Sequence, residues 1–583
     1  MIKRLFGQMM IAQVISSMTV TLCMLIDSIV ICRFLGVDAM AAYGYTQPVL
    51  LAFAAPGAMI SAGVQVVCGK TLGRGDREGS DSCFTVSVAL TSAISLLGLI
   101  LVLVFSGPLC TLLGAGRPEP GNPVYYLTKD YLTGFIIGVP AFLTAQVMVP
   151  YLQMSGKRTR LVTAVVLMTV IDIALDLLNV LVIHGGIFGM GLASSLSYYA
   201  AVFIGIGCFV SKDRLFTLRR KGLSLNMLRL IVGNGIPTII NQLSLVFLIL
   251  LLNNLLRSFG GNLAVAAYSV ISTISNLCYA FCNGISSVAL MMASIFCADK
   301  DRSSLYTLVR TMTKNAIVVL ASVTLVVILA AGPIVFLFIE NDLQVVNLAT
   351  KGLRLFALCL VPCALNTTFK FYYQGIGRVR LMEGICVLQN FLLPALSALV
   401  MGYLLGVTGL WLCFLCGEGA ALVFICIYVW KSNKRVSLTA EDFALLPPSF
   451  TSPDERCFEY TIESDKGAVE ASSKAIEFCL QHGEKKTTSA LIGLCIEEMT
   501  YNTTRFGFDK GQKNMIEVRL VIGDHEKIIR IRDNCIHFDP IHYHELHSND
   551  DPIAHIGIRT VVSTAKEAVY LNTFGLNNLT LRL

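Results

Sequence analysis

The sequence predicts a polytopic α-helical membrane protein, with twelve transmembrane helices in two six-helix repeats, followed by a C-terminal cytoplasmic α/β sandwich domain. Three observations predict it. Hydrophobic residues make up 55% of the 583-residue chain and charged residues only 14%, a balance that soluble proteins of this size do not carry. Long apolar runs recur as far as about residue 430, with basic clusters in every second connection. Beyond Arg435 the composition reverts to that of an ordinary soluble domain.

Taken in order, Met1-Ile-Lys-Arg4 precedes an apolar run that begins like a signal peptide. The run is too long and lacks an obvious cleavage site, so it reads as a retained first span. Apolar runs fall near residues 9–35, 44–69, 83–107, 127–153, 160–183 and 187–210, then 231–256, 265–297, 312–339, 351–374, 381–404 and 409–430. Each can cross a hydrocarbon core that needs roughly 20 residues. Lys70/Arg74/Arg77, Lys157/Arg158/Arg160, Lys212/Arg214/Arg219/Arg220/Lys221, Lys300/Arg302, Arg378/Arg380 and Lys431/Lys434/Arg435 occupy alternate loops. The positive-inside rule therefore predicts a multi-pass protein of the cytoplasmic membrane with both termini cytoplasmic. The net charge of +7 belongs to these loops and to no nucleic-acid patch. The 19 cysteines lie mostly inside apolar runs, which reads as small reduced core residues and no disulfide or zinc framework.

An internal repeat divides the helical part. Phe34-Leu-Gly36-Val-Asp-Ala39-Met-Ala41-Ala42-Tyr43 matches Phe259-Gly-Gly261-Asn-Leu-Ala264-Val-Ala266-Ala267-Tyr268. Pro140, Gln153, Gly156, Arg160 and Leu161 recur as Pro362, Gln374, Gly377, Arg380 and Leu381. Two parallel repeats that begin and end on one side suit alternating access. The expected boundaries are 1–220 for a first lobe, 221–435 for a second, 436–453 for a linker holding Pro447, Pro448 and Pro453, and 454–583 for the soluble domain.

The polar residues inside the spans carry the chemistry. Asp27 sits near mid-membrane, where a carboxylate costs about 3 kcal/mol on insertion scales and faces a polar cavity, an ion or a proton path, or else is protonated and bonded to a neighbouring helix. The repeat aligns it with Leu252, so this acid belongs to the first half alone. Asp172 and Asp176 share one helix face by their i,i+4 spacing, and two like charges in hydrocarbon call for a cation or a shared proton between them. In the second half Glu418 and Lys370 are the intramembrane ionisable groups, and Glu418 either binds a cationic substrate or pairs with Lys370. Asn241, Gln242, Asn253 and Asn254 are the polar groups of the seventh span, and Glu418, Lys370 and Gln242 are the substrate-cavity candidates.

Val37-Asp-Ala-Met-Ala-Ala-Tyr-Gly-Tyr-Thr-Gln-Pro48 after an Asp-bearing span, and Asp172-Ile-Ala-Leu-Asp176 followed by Gly186-Ile-Phe-Gly189-Met-Gly191-Leu-Ala193-Ser194, resemble the multidrug and toxic compound extrusion (MATE) family over roughly residues 1–435. The resemblance implies a two-lobed antiporter that expels organic, often cationic, compounds using sodium or protons. It also implies a first-lobe cation site at Asp27, Asp172, Asp176 and Ser194. Asp172 stands where that family usually has Asn, and Leu177 where Pro commonly follows the second acid. An all-oxygen set suits a hard cation, and the additional carboxylate equally suits a proton carrier, so both Na+ and H+ remain open.

In the soluble part, 457–462, 515–522, 527–533, 567–572 and 577–583 have the pattern of strands, and 467–482, 486–504 and about 557–565 that of helices, with a hairpin turning at Phe574-Gly575. Glu498-Met-Thr-Tyr-Asn502, Asp533-Asn-Cys-Ile-His-Phe-Asp-Pro540, His555-Ile-Gly557-Ile558 and Gly575-Leu-Asn-Asn-Leu579 resemble the Bergerat-fold (GHKL) ATPases, particularly the anti-sigma-factor serine kinases. The resemblance implies Glu498 as a base, Asn502 on magnesium, Asp533 on adenine and Gly557 in the second glycine box of the nucleotide site. Cys535, Phe506 and His555 replace a glycine, a histidine and a glycine of that pattern, which makes ATP/Mg binding an open expectation. Two decoys are set aside: Val66-Val-Cys-Gly69-Lys70-Thr71 ends like a phosphate loop inside a membrane helix, and His542, His544 and His547 have metal-ligand spacing without Cys partners.

The favoured reading is an exporter of a small-molecule drug or metabolite, surrounded by membrane lipid, whose soluble domain is regulatory, meets a cytoplasmic regulatory protein and is no enzyme. The alternatives are a sensor whose soluble domain is a serine kinase or anti-sigma binder, and a lipid-linked substrate flippase, against which an acidic first lobe weighs.

Overall fold

The fold was obtained as a computed structural model that describes residues 2–113, 115, 117–119, 122–210, 215–219, 222–336, 343–433, 439–446, 456–464, 466–508, 513–523, 526–547 and 556–583. The predicted apolar runs are helices. The first half comprises α1 (Ile2–Val30), α2 (Val37–Gly73), α3 (Arg77–Leu112), α4 (Pro123–Ile136), α5 (Val139–Met154), α6 (Arg158–Leu178) and α7 (Gly186–Val210). The second half comprises α8 (Leu225–Ala298), α9 (Arg302–Phe336), α10 (Leu343–Ala357), α11 (Leu360–Gly375), α12 (Val379–Val387), α13 (Leu393–Leu405) and α14 (Val407–Asn433). Among the described residues, 10 helices or helix segments are long and apolar enough to cross a membrane, or up to 12 if α4–α5, bent by 49°, and α10–α11, bent by 47°, each count as one span. Apolar side chains such as Val104 and Leu329 stand 66% and 73% exposed on α3 and α9, as a lipid-facing surface requires.

The breaks have identifiable causes. Gly261, at φ 62°, bends α8 between its segments Leu225–Leu256 and Ala267–Ala298, and Gly36, at φ 87°, separates α1 from α2; both values favour a residue without Cβ. Positive φ recurs at Gly75 and Lys300, Gly156 and Gly377, and Gly186 and Gly406, each at a connection between helices. Single π-helical turns follow Asp27 at Ile31–Leu35 and Asp176 at Asn179–Ile183, and another, Leu388–Leu392, holds Gln389 and Asn390. Such turns concentrate at polar, functional positions. The sequence Cys413-Phe-Leu-Cys416 has the spacing of a redox pair, but both thiols are free within α14.

The C-terminal part is a five-stranded antiparallel sheet, β1 (Cys457–Ile462), β2 (Ile516–Ile522), β3 (Lys527–Asp533), β4 (Glu567–Thr573) and β5 (Leu576–Arg582), in the order β1-β2-β3-β5-β4. Helices α15 (Lys466–Gln481), α16 (Lys486–Asn502), α17 (Pro540–Leu546) and α18 (Ile556–Thr564) accompany it. Alternation divides the sheet's faces. Val518, Leu520, Ile529 and Ile531 join Ala471, Ile492, Ile496 and Val561 in one core. Arg519, Arg530 and Arg532 occupy the other face, which lies against the helical part, where Asp299 and Asp301 of the α8–α9 connection meet them.

This domain spans both helical halves. The β4–β5 tip donates the Phe574 N–H to the Met154 carbonyl at 2.7 Å, and Gly156 packs backbone to backbone on Gly575. Val569 covers Gly75 of the α2–α3 connection, while Arg519 Nη2 reaches the Lys300 carbonyl at 2.8 Å. Leu571, Phe574 and Leu576 belong to the same core as Ile2, Leu5, Leu72 and Phe296. Residues 439–446, read from sequence as part of a linker, are docked on the second half: Tyr372 donates to the Ala444 carbonyl at 3.0 Å and Arg378 to the Leu445 carbonyl at 2.8 Å. Prolines 447, 448 and 453 lie outside the described residues.

Candidate functional site

Asp27 of α1, Asp172 and Asp176 of α6, and Ser194 of α7 are all buried, with exposures of 7%, 3%, 0% and 5%. The structure brings them together: Asp176 and Ser194 lie within interaction reach of Asp27, and Asp172 faces Ser194, Ser197 and Cys23. Asp27 Oδ1, Asp172 Oδ1 and both Asp176 oxygens are buried without a hydrogen-bond partner. Buried carboxylate oxygens are ordinarily satisfied, so this constellation has capacity for a proton or a cation. Among the described residues no group of three or more His, Cys, Asp or Glu is arranged to hold a metal ion. The acids are therefore a loose set of acceptors around one region, without a closed coordination shell.

Sequence reasoning missed part of this environment. Tyr131 and Tyr198 lie close enough to Asp27 to feel its charge, and Tyr43 stacks edge-on against Tyr131 at 5.2 Å. Tyr43 carries a signal in the Ala-Ala-Tyr repeat, whereas Tyr131 and Tyr198 come from other spans and carry none. Asn179, beside the α6 acids, donates to the Gly186 carbonyl at 2.9 Å and fills the space where a Gly189 side chain would go.

The second half has its own buried polar groups in two networks. Glu418 accepts from Asn366 at 2.7 Å and from Gln389 at 3.1 Å, and Gln389 also reaches Thr367 at 3.1 Å. Lys370 donates to Asn241 at 2.7 Å and lies over the Phe371 ring at 5.6 Å, and Asn390 bonds the same Asn241 oxygen at 2.5 Å. The pairing of Glu418 with Lys370 that the sequence left open is not formed among the described residues, because amides on both sides satisfy each ion first. Gln242 is exposed, and its neighbour Asn241 enters the network instead. The Asn253 side chain lies outside the described residues.

The C-terminal domain holds a cavity of about 410 Å3 whose walls include Asn502, Phe506, Asp533, His537, Tyr570 and Asn577. Asp533 accepts from the Cys535 N–H at 2.9 Å and from Asn577 at 2.8 Å, and the Tyr570 hydroxyl donates to Asn577 at 2.7 Å. Burial pushes the Asp533 carboxyl above its ordinary range, against those hydrogen bonds. Glu498 lies against Gly557 at the start of α18 and is not among the residues lining the cavity. Cys535 belongs to the domain core and is not among the residues lining the cavity. His542 approaches Glu545 at 3.7 Å and His547 caps onto the Tyr543 carbonyl at 2.9 Å; His555 lies outside the described residues.

A bundle of membrane-spanning helices with broken turns and carboxylates buried within the spans has the construction of a membrane transporter. The chain belongs to the MatE family, whose model matches residues 13–178 and 237–400. It is similar to the multidrug export protein MepA of Staphylococcus aureus (strain MSSA476), 24% identical over 417 residues that cover 69% of this chain and 88% of the relative. The MepA of Staphylococcus haemolyticus (strain JCSC1435) is 23% identical over 403 residues, covering 68% and 87%. Among solved structures, the outward-facing conformation of a multidrug resistance MATE family transporter of the MOP superfamily matches with a TM-score of 0.66 at 22% identity, covering 73% of this chain and 94% of that one. The C-terminal sheet begins beyond the last residue of the family match.

Proposed function

We propose that this transporter is a cation-coupled antiporter that exports small organic, mostly cationic, compounds across the cytoplasmic membrane by alternating access. The observation that carries the reading is the set of unpartnered buried carboxylates at Asp27, Asp172 and Asp176, with Ser194 beside them. Such a set binds a sodium ion or carries a proton, and release of either changes its charge in a place where charge is expensive. The name of the staphylococcal relatives supports a multidrug substrate range, and the buried Glu418 gives the second half an acid that an organic cation could neutralise. Positive φ at corresponding connections of the two halves, Gly36 with Gly261 and Gly156 with Gly377, supports two parallel repeats.

The positive-inside rule makes the side bearing the soluble domain cytoplasmic. On that side the halves are closed: Ser294 of α8 donates to the Gln65 carbonyl of α2 at 2.7 Å, and Gly73 packs on the Ile295 carbonyl. Contact between the halves on this side closes the path to the cytoplasm. The soluble domain touches both halves there, so its docking opposes opening to the cytoplasm, which supports a regulatory role. Its 410 Å3 cavity suits a nucleotide, and its walls hold both Asp533 and Asn502, the residues the GHKL resemblance would set on adenine and on magnesium.

Asp27→Asn tests the function directly. It should abolish drug resistance in cells lacking their own exporters while leaving membrane abundance near that of the parent. Parental resistance in that variant would refute the assignment.

A further inference from the structure

A second cavity, of about 700 Å3, lies where the α2–α3 connection, the α8–α9 connection with the start of α9, and the basic face of the sheet meet. Its walls carry eight Lys or Arg side chains against four Asp or Glu. Three of the four acids are already committed. Asp299 pairs with Arg530 and Arg532, Glu441 with Arg310, and Glu459 with Arg519. Arg74 and Lys300 have no ion-pair partner among the described residues.

Lys300 is informative for a second reason. Its backbone is left-handed, at φ 51°, whereas the corresponding turn of the first half uses Gly75 at φ 74°. A long side chain in that conformation is strained, and here the residue lines the basic cavity. Arg302, next but one in the chain, is held by its Nε donating to Tyr306 at 2.8 Å, and Ser303 and Thr580 add hydroxyls to the wall.

We propose that this cavity binds a phosphate-bearing anion. The volume is that of a ligand pocket, and guanidinium groups match phosphate oxygens with paired, charge-assisted donors. The bound anion touches Arg74 from the first half, Lys300 from the second and the sheet of the soluble domain, so it holds all three together. Its effect on transport rests on the regulatory reading given above. The binding itself rests on the cavity alone.

The full-length protein in phosphatidylcholine nanodiscs is titrated with inorganic tripolyphosphate, which has no base for the smaller cavity, and followed by calorimetry and thermal unfolding. A second arm replaces part of the lipid with phosphatidylglycerol and omits polyphosphate. Saturable stabilisation in the first arm supports a soluble phosphate ligand, and stabilisation in the second arm alone supports a lipid headgroup. In either case Arg74→Gln and Lys300→Gly should each weaken the response by about tenfold, while Lys129→Gln, far from the cavity, should not. The glycine suits the left-handed backbone, so a failed fold does not excuse a lost response. No response in either arm, or an equal response in Arg74→Gln and Lys300→Gly, overturns the proposal. Binding that leaves transport rates unchanged supports the site and overturns only the regulatory reading.

Discussion

Four oxygens of Asp27, Asp172 and Asp176 stand buried without a donor, and groups that share one ion cannot be removed independently. Single alanine substitutions at these acids should each stop coupled transport, and the double variants should lose no more, a coupling of about 0.5–3 kcal/mol in a double-mutant cycle. Additive losses would mean separate roles. These acids were legible because charge inside an apolar run is conspicuous, and the i,i+4 spacing of Asp172 and Asp176 put both on one face. Tyr131 and Tyr198 were not, since aromatic residues in a membrane helix have no such contrast. In the soluble domain, Asp533 is 5% exposed with its carboxyl raised by burial. A raised carboxyl stabilises the fold most below its unfolded pKa, and that contribution is lost as pH rises through the folded value. Unfolding of the full-length protein followed from about pH 4 upward should therefore show the domain's transition falling with pH, and Asp533→Asn should flatten that fall.

The β4–β5 hairpin and the α8–α9 connection are the elements that fasten the soluble domain. Phe574 and Gly575, at φ 61° and 76°, make the doubly left-handed turn that two-residue hairpins favour, and the tip lies on Gly156. A branched side chain at Gly156 has no room and the wrong backbone, at φ 69°. Gly156→Val should release the tip and expose the connection after Asn433 to protease, without dismantling the sheet. Asp301 anchors the other end, accepting from Arg519 and Arg530 while capping α9 through the Ser304 N–H at 2.9 Å. Burial with Arg532 nearby already holds Arg530 well below the usual arginine range. Asp301→Ala should thus weaken docking by about 3–5 kcal/mol, read from the same proteolysis. The strands themselves were legible to within a residue or two, because alternation such as Ile516-Glu-Val518-Arg-Leu520 is a period-two signal. The docking of 439–446 was not, because a proline-rich stretch reads as linker whether or not its backbone carbonyls find partners on a neighbouring helix.

Across the whole molecule the helices meet tightly on the side where the domain sits, with Gln65 bonded to Ser294 and Ser287. Alternating access requires that contact to part, and a domain fastened to Met154 and Gly156 on one half and to Asp299 and Asp301 on the other resists it. Removing residues 439–583 should therefore leave transport intact and raise its rate, measured as dye efflux from proteoliposomes. The spans were readable as a pattern of apolar runs separated by basic connections. The clamp across the halves was not, since contacts between residues hundreds of positions apart leave no local signature. On the function proposed above, a cation gradient acting through Asp27 drives export. Export of a fluorescent organic cation from proteoliposomes, under separately imposed sodium and pH gradients and without nucleotide, tests it most directly. One of the two gradients should drive export in the parent and fail to do so in Asp27→Asn; gradient-driven export undiminished in Asp27→Asn, or export in the parent that needs ATP and no gradient, would contradict it.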